Sequence, residues 1–174
     1  MRINGTMRAL DESRGAVRVD DLYDTDIEDL WEACTTPERL ARWIAEVSGD
    51  LRVGGTVDTV FTCTWSGPAR IEACDAPHHL LLTAGAGADD ETQIEAWLTA
   101  EGTRTRLVVE ERGIPLKGLH FYGAGWQAHL EDLAQSLATG RTVHADGWSA
   151  EQSAPAWHAR WTELTAAYED STVG

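Results

Sequence analysis

Two consecutive glutamates, Glu110 and Glu111, end the last of several alternating segments, so one of them must face inward if the alternation holds. An inward carboxylate can anchor a polar group of a ligand or act as a base. His129 lies next to an apolar stripe, which suits either a satisfied core imidazole or the wall of a pocket. His120 precedes it by nine residues, not by the four that let a helix offer two histidines to one metal. His78 and His79 follow Pro77 at an expected turn, and neighbours on a strand point apart, so they read as surface residues. Asp24-Thr25-Asp26 opens like a calcium loop, but Asp29 stands where that loop needs glycine. Acidic residues there suit the positive end of a helix. Cys34, Cys63 and Cys74 contain no CxxC pair and read as small buried hydrophobes of a reducing compartment. Nucleophile-elbow, phosphate-loop and HExxH patterns do not occur, and Gly85-Ala86-Gly87 lacks the third glycine of a dinucleotide fingerprint. These motifs name no catalytic residue, no metal and no cofactor. Eight tryptophans remain, a residue type that fills cores but also lines apolar cavities.

The elements that would position these groups follow from periodicity. Residues 1–14 are polar and aperiodic and read as a flexible tail. Val17, Val19 and Leu22 alternate in a first strand over Ala16–Tyr23. Thr25-Asp26-Ile27-Glu28 has the form of a capping box, and Ile27, Leu30, Trp31 and Cys34 then share a helical face. Thr36-Pro37-Glu38 starts a second helix, with Leu40, Trp43, Ile44 and Val47 along one side and Gly49 as its close. From Leu51 to Gly113 the period is two. Gly54-Gly55 predicts a hairpin between Leu51–Val53 and Thr56–Trp65, and strands follow at Ala69–Cys74, Leu80–Ala84, Thr92–Thr99 and Thr105–Arg112. Short turns between consecutive strands imply an antiparallel meander. Leu119, Tyr122, Trp126, Leu130, Leu133 and Leu137 then mark a long amphipathic helix stopped by Gly140.

Composition limits the partners. The 174 residues fit one domain and carry 14 basic against 29 acidic groups, a net charge of −15. A phosphate backbone or an anionic lipid surface is bound through Lys and Arg, so neither nucleic acid nor membrane is an expected partner. No apolar run is long enough to span a bilayer. Met1–Arg18 lacks the apolar core of a secretory signal, which makes the cytoplasm the expected location.

Several segments in this order resemble a known family. They are Leu30-Trp31 with Thr36-Pro37-Glu38-Arg39-Leu40-Ala41-Arg42-Trp43, then Asp50-Leu51-Arg52-Val53-Gly54-Gly55, then Ala76-Pro77-His78-His79-Leu80. Glu101-Gly102-Thr103-Arg104-Thr105-Arg106-Leu107 and Gly125-Trp126 with Leu130, Leu133 and Leu137 complete the series. Over residues 16–140 the chain resembles the SRPBCC superfamily of START lipid-transfer and birch-pollen-allergen-like proteins. Within it, the likeness is to the bacterial homologues of the heat-shock-protein-90 ATPase activator. The resemblance implies an α+β helix-grip fold: a curved antiparallel sheet wrapped around a long C-terminal helix, with two short helices after the first strand. That divides the chain into a tail over 1–14, the helix-grip domain over 15–140 and a C-terminal extension over 141–174. Where the family commonly has an aromatic residue at the end of the strand that starts at Leu80, Thr83-Ala84-Gly85 stands instead, which opens space or shifts the register.

The resemblance, together with one-sided strands facing a one-sided helix, implies a cavity for a small hydrophobic or aromatic molecule; the same side chains could instead fill a solid core. Its expected lining is Phe61, Cys63, Trp65, Ile71, Ile94, Leu107, Val109 and Glu111 from the sheet. Tyr122, Trp126 and His129 approach from the long helix and Trp43 from the helical pair. The resemblance also implies two other roles: docking on a chaperone, or a cyclase or hydrolase activity in the same cavity, with Glu111 and His129 as its working groups. In the extension, Trp157, Trp161, Leu164 and Tyr168 predict a helix at about 154–169 packed on something apolar. The sheet's edge or outer face, near Trp97, and a second subunit of a homodimer are the two surfaces considered for it.

Overall fold

Alternation of buried Val17 and Val19 with exposed Arg18 produces β2 (Arg14–Tyr23), next to one edge of the sheet. The computed structural model describes residues 1–174. After β2 come α1 (Ile27–Thr35), α2 (Pro37–Leu40), β3 (Ala45–Gly49), β4 (Thr56–Phe61), β5 (Ser66–Asp75) and β6 (His79–Ala84). Then follow β7 (Thr92–Glu101), β8 (Arg104–Pro115), α3 (Leu119–Thr139) and α4 (Pro155–Glu169). With β1 (Gly5–Ala9), the strands make one antiparallel sheet in the order β1-β2-β8-β7-β6-β5-β4-β3. The sheet is curved and does not close, and α3 packs against β1, β2 and β8. This is the α+β helix-grip arrangement.

Residues 5–9, part of the stretch read as a tail, are an edge strand paired with β2 from Gly5↔Val19 to Ala9↔Gly15. The pairing is locked from above. A Cβ at Gly5 would stand 2.6 Å from the Tyr168 hydroxyl and 2.8 Å from Val19, so only glycine admits this approach. Tyr168 in turn donates to Gln127 Oε1 at 2.7 Å, and the same oxygen accepts from the Asn4 backbone N–H at 2.9 Å. At the end of the chain, Val173 bridges to Met7 and Gly174 bonds both Met7 and Ala9 through the backbone.

The first helix is capped one residue later than the sequence pattern indicates. Asp26 is the N-cap and accepts from the Asp29 N–H, while the Thr25 hydroxyl donates to the Asp29 carboxylate. The second helix is shorter than expected. It ends at Leu40, and Ala45–Gly49 runs on as a strand beside β4 with Val47 opposite Thr59. A tight turn over Ala41–Ile44 places Leu40, Trp43 and Ile44 together, so the apolar spacing mimics a helix that is not there. Leu51–Val53 is accordingly loop, not strand. β4 also stops early: Thr64 takes a left-handed φ of 78°, and Cys63 and Trp65 leave the strand and overhang the concave side.

Helix α4 buries its apolar stripe within the same chain, mainly against α3, with Tyr168 reaching over the sheet's edge strand β1. Trp157, Leu164 and Tyr168 are buried there. Gly123 and Gly125 of α3 give the close approach, since a Cβ on Gly123 would lie 2.6 Å from the Tyr168 ring. Trp97 instead lies on the outer face of the sheet, with the Arg18 guanidinium 5.5 Å from its ring centre. The linker between α3 and α4 is pinned as well: Val143 N–H donates to Arg42, Ala154 N–H to Thr62, and Trp148 Nε1 to Val60.

Candidate ligand cavity

The alternation along β8 separates the two glutamates cleanly. Glu110 faces outward and is held by Arg8 at 2.7 Å and Arg112 at 3.1 Å, which keep its carboxyl below its usual range, Arg8 contributing most. Glu111 faces inward, 6% exposed, with no basic partner. Its Oε1 accepts from the Thr92 hydroxyl at 3.0 Å and its Oε2 from Trp126 Nε1 at 3.1 Å. These bonds favour the ionised form, but burial outweighs them and pushes Glu111 up from 4.5 to about 7. The result is an acid poised near neutrality in an aromatic setting.

His129 sits one turn below Trp126 on α3. Its ring packs at 5.2 Å between centres on Trp157, 5.6 Å on Trp126 and 6.2 Å on Phe61. Its Nδ1 is 3.4 Å from the Thr62 hydroxyl. Burial, helped by nearby His144, pushes its pKa down to about 3, so the imidazole is neutral at ordinary pH. Cys63 is likewise pushed up to about 11 by burial and stays a thiol. Thr62 is fully buried and does not line the cavity, so its hydroxyl cannot meet a substrate beside His129.

Around these groups lies a cavity of about 690 Å³ between the sheet and α3. Of the residues expected from the sequence, Phe61, Cys63, Trp65, Ile94, Glu111, Tyr122, Trp126 and His129 line it. Trp43, Ile71, Leu107 and Val109 do not. They line a second space of about 380 Å³ bordered by α1, α2 and the Leu51–Val53 loop, in which 22 of the 25 lining residues are hydrophobic. Trp43 is turned into that space because its Nε1 is tied to the Ala33 carbonyl at 2.9 Å. Phe61, Trp65, Ala84, Ile94 and Trp126 belong to both linings and form the partition between them. Ala84 and Gly85, where the family's aromatic residue is missing, are part of the larger cavity's wall.

Sequence reasoning did not place Asp90, Thr92, Gln152, Ser153, Trp157, Trp161 or His158 in this cavity. The aromatic stripe of 157–168 was visible, but its docking on α3 was not, and that docking is what brings Trp157 and Trp161 to the rim. Thr92 could have been found from the alternation of β7, because it shares the inward face with Ile94. No three His, Cys, Asp or Glu side chains converge on a metal position. His79 is engaged by Glu95, and His78 approaches the Leu98 carbonyl at 3.5 Å, so the two histidines diverge.

This geometry can be set beside known proteins. A profile described as "Activator of Hsp90 ATPase homolog 1-like protein" matches residues 24–138. The chain belongs to that family. Its members share the SRPBCC-type fold, which generally encloses hydrophobic ligands. Among solved structures, CalU16 from Micromonospora echinospora is similar at 23% identity and a TM-score of 0.69, covering 95% of this chain and 93% of that one. The protein encoded by BPP1335 from Bordetella parapertussis is similar at 22% identity and a TM-score of 0.67, covering 96% and 90%. DynU16, from the dynemicin biosynthetic locus, is similar at 23% identity and 0.67 over 81% of this chain but 49% of its own. At such identities the likeness is one of fold. No curated protein matches the chain. The family profile ends at residue 138, so α4, which supplies one wall of the cavity, lies beyond it.

Proposed function

We propose that this chain binds a small hydrophobic or aromatic molecule between the sheet and α3. The observation that carries this reading is the 690 Å³ cavity walled by Phe61, Trp65, Tyr122, Trp126, Trp157 and Trp161. That volume lies within the roughly 300–1,000 Å³ typical of small-molecule sites, and a few polar groups converge on it, as such sites require. The missing family aromatic at Ala84 supports the reading, because small residues there leave the space open. Titration of the intrinsic tryptophan fluorescence with a panel of aromatic and aliphatic compounds tests it. Saturable quenching is expected in the native chain, and Ala84→Phe, which refills the wall, should abolish it while leaving the far-ultraviolet circular dichroism unchanged. A chemically broad panel that gives no saturable response would remove the proposal.

The family description carries a second reading, protein contact with a chaperone through the acidic surface. Enrichment of a chaperone from cell extract at low salt, lost at high salt, is its expected signature. Small-molecule binding without such enrichment would eliminate it.

A further inference from the structure

The charged residues of the larger cavity are all of one sign. Asp90, Glu111 and Glu151 contribute to its lining, and no Lys or Arg does. Among them Glu111 is the deep one, and its situation differs from every other buried carboxylate arrangement of the sheet. Glu110 and Glu95 are both paired with Arg112, whereas Glu111 has two neutral donors and no cation within salt-bridge distance. A carboxylate offers about four lone-pair sites, so two remain after Thr92 and Trp126 are served. Leaving an ionised carboxylate buried without a cation is costly, and a ligand that supplies the cation recovers that cost. The rings facing the same space attract a cation over their faces as well. Beyond the partition, the smaller cavity provides an almost wholly apolar compartment for the rest of such a molecule.

We infer that the favoured occupant is a hydrophobic amine, its protonated nitrogen against Glu111 and its apolar body among the rings, extending toward the smaller cavity. This inference rests on the binding reading above and specifies its ligand class. The chain's net charge of −15 draws cations toward the cavity from outside.

Ionisation of Glu111 then controls the affinity. The groups facing it are Thr92 on β7, Trp126 and Tyr122 on α3 and Cys63 on the β4–β5 turn, while Asp90 on the β6–β7 loop lines the same cavity near Tyr122. Val17 and Ile94 flank it on the neighbouring strands. Tyr122 and Cys63 are pushed up by burial and remain neutral around pH 7, which leaves Glu111 as the deep group that changes charge there. Affinity for an amine should rise up to about tenfold per pH unit below the Glu111 pKa and level off above it.

Isothermal titration of the full chain with 4-phenylbutylamine, 4-phenylbutanol and 4-phenylbutyrate, at about pH 6 and about pH 8, tests this. The amine should bind at least about tenfold more tightly than the alcohol at the higher pH, with the carboxylate weakest. The amine's advantage should shrink at the lower pH. Glu111→Gln should bring the ratio of amine to alcohol affinity close to one at both. Alcohol binding with no amine advantage would overturn the inference and leave the cavity reading standing. A pH step in amine affinity that survives in Glu111→Gln would also overturn it. Failure of all three compounds with the folded native chain would overturn both.

Discussion

Glu110 and Glu111 differ by one position on one strand, and their surroundings send their protonation in opposite directions. Outward Glu110 is held ionised by arginines; inward Glu111 is raised to about 7 by loss of water. A carboxyl whose pKa is higher in the folded than in the unfolded chain binds its proton more tightly when folded. Its contribution is therefore fully present below pH 4.5 and is lost as pH rises from 4.5 to about 7. Replacing it by neutral glutamine should remove that loss. Relative to the native chain, Glu111→Gln should gain roughly 3 kcal/mol between those two pH values, as read from urea unfolding across the range. His129 slopes the other way. Its folded pKa of about 3 lies below the ordinary 6.5, so its contribution is present above 6.5 and lost as pH falls toward about 3, at about 1.4 kcal/mol per pH unit. His129→Gln should cost packing at neutral pH, but its deficit should narrow as the solution is acidified. Between 4.5 and 6.5 the two groups offset each other in the native chain, and only the single variants expose either slope. A deficit independent of pH in both variants would refute these assignments.

At the scale of elements, the seam between α3 and α4 turns on two glycines that face it with different tolerances. A Cβ on Gly123 would fall 2.6 Å from the Tyr168 ring, while one on Gly125 would meet Trp157 at an ordinary 3.5 Å. Gly123→Ala should therefore destabilise by about 1–3 kcal/mol through forced displacement of Tyr168. Gly125→Ala should be neutral or should stabilise by up to about 1 kcal/mol from helix propensity. Thermal melts of the two variants, side by side, check the contrast. Helices of this kind were legible in the sequence because their apolar stripes are long. The stripe of α3 from Leu119 to Leu137 and that of α4 from Trp157 to Tyr168 each span several turns. Short elements were not. Leu40, Trp43, Ile44 and Val47 keep helical spacing across a turn and into β3, because the tight turn over Ala41–Ile44 has a helix-like pitch for a few residues only. β1 was hidden because only Met7 of its five residues is buried, and its pairing depends on Tyr168 far along the chain.

For the molecule as a whole, the family core ends near residue 138 while the cavity wall does not. Gln152, Ser153, Trp157, His158 and Trp161 close the larger cavity from the extension, but the smaller one is built wholly within residues 34–126. Eight of the twelve candidate lining residues meet in the larger cavity; the other four line only the smaller, which shares Phe61, Trp65, Ile94 and Trp126 with it. Inward alternation could predict that these side chains share a face, but not that Phe61, Trp65 and Trp126 would divide the space behind it. Ending the chain after Gly140 uncovers the α3 face that buries Trp157, Leu164 and Tyr168. At roughly 1.5–3 kcal/mol for each large side chain, the loss is of order 5 kcal/mol, comparable with the lower end of a typical domain's stability. The truncated chain should melt far below the native one and lose fluorescence-detected binding in the larger cavity. An unchanged melting temperature would show that α4 contributes nothing to the fold.

The tryptophans make this arrangement audible to nuclear magnetic resonance. Trp43, Trp126, Trp148 and Trp161 each donate an indole N–H to a defined oxygen, while the buried Trp157 indole N–H has no partner. In a proton–nitrogen correlation spectrum of the indole region, Trp157 should give a solvent-protected resonance displaced upfield, since it lacks a hydrogen bond and lies between the rings of His129 and Trp161. Trp126 should give the one that moves with pH, its midpoint near 7, because its acceptor is the Glu111 carboxylate. An indole signal would thus report the charge at the floor of the cavity before any ligand is known.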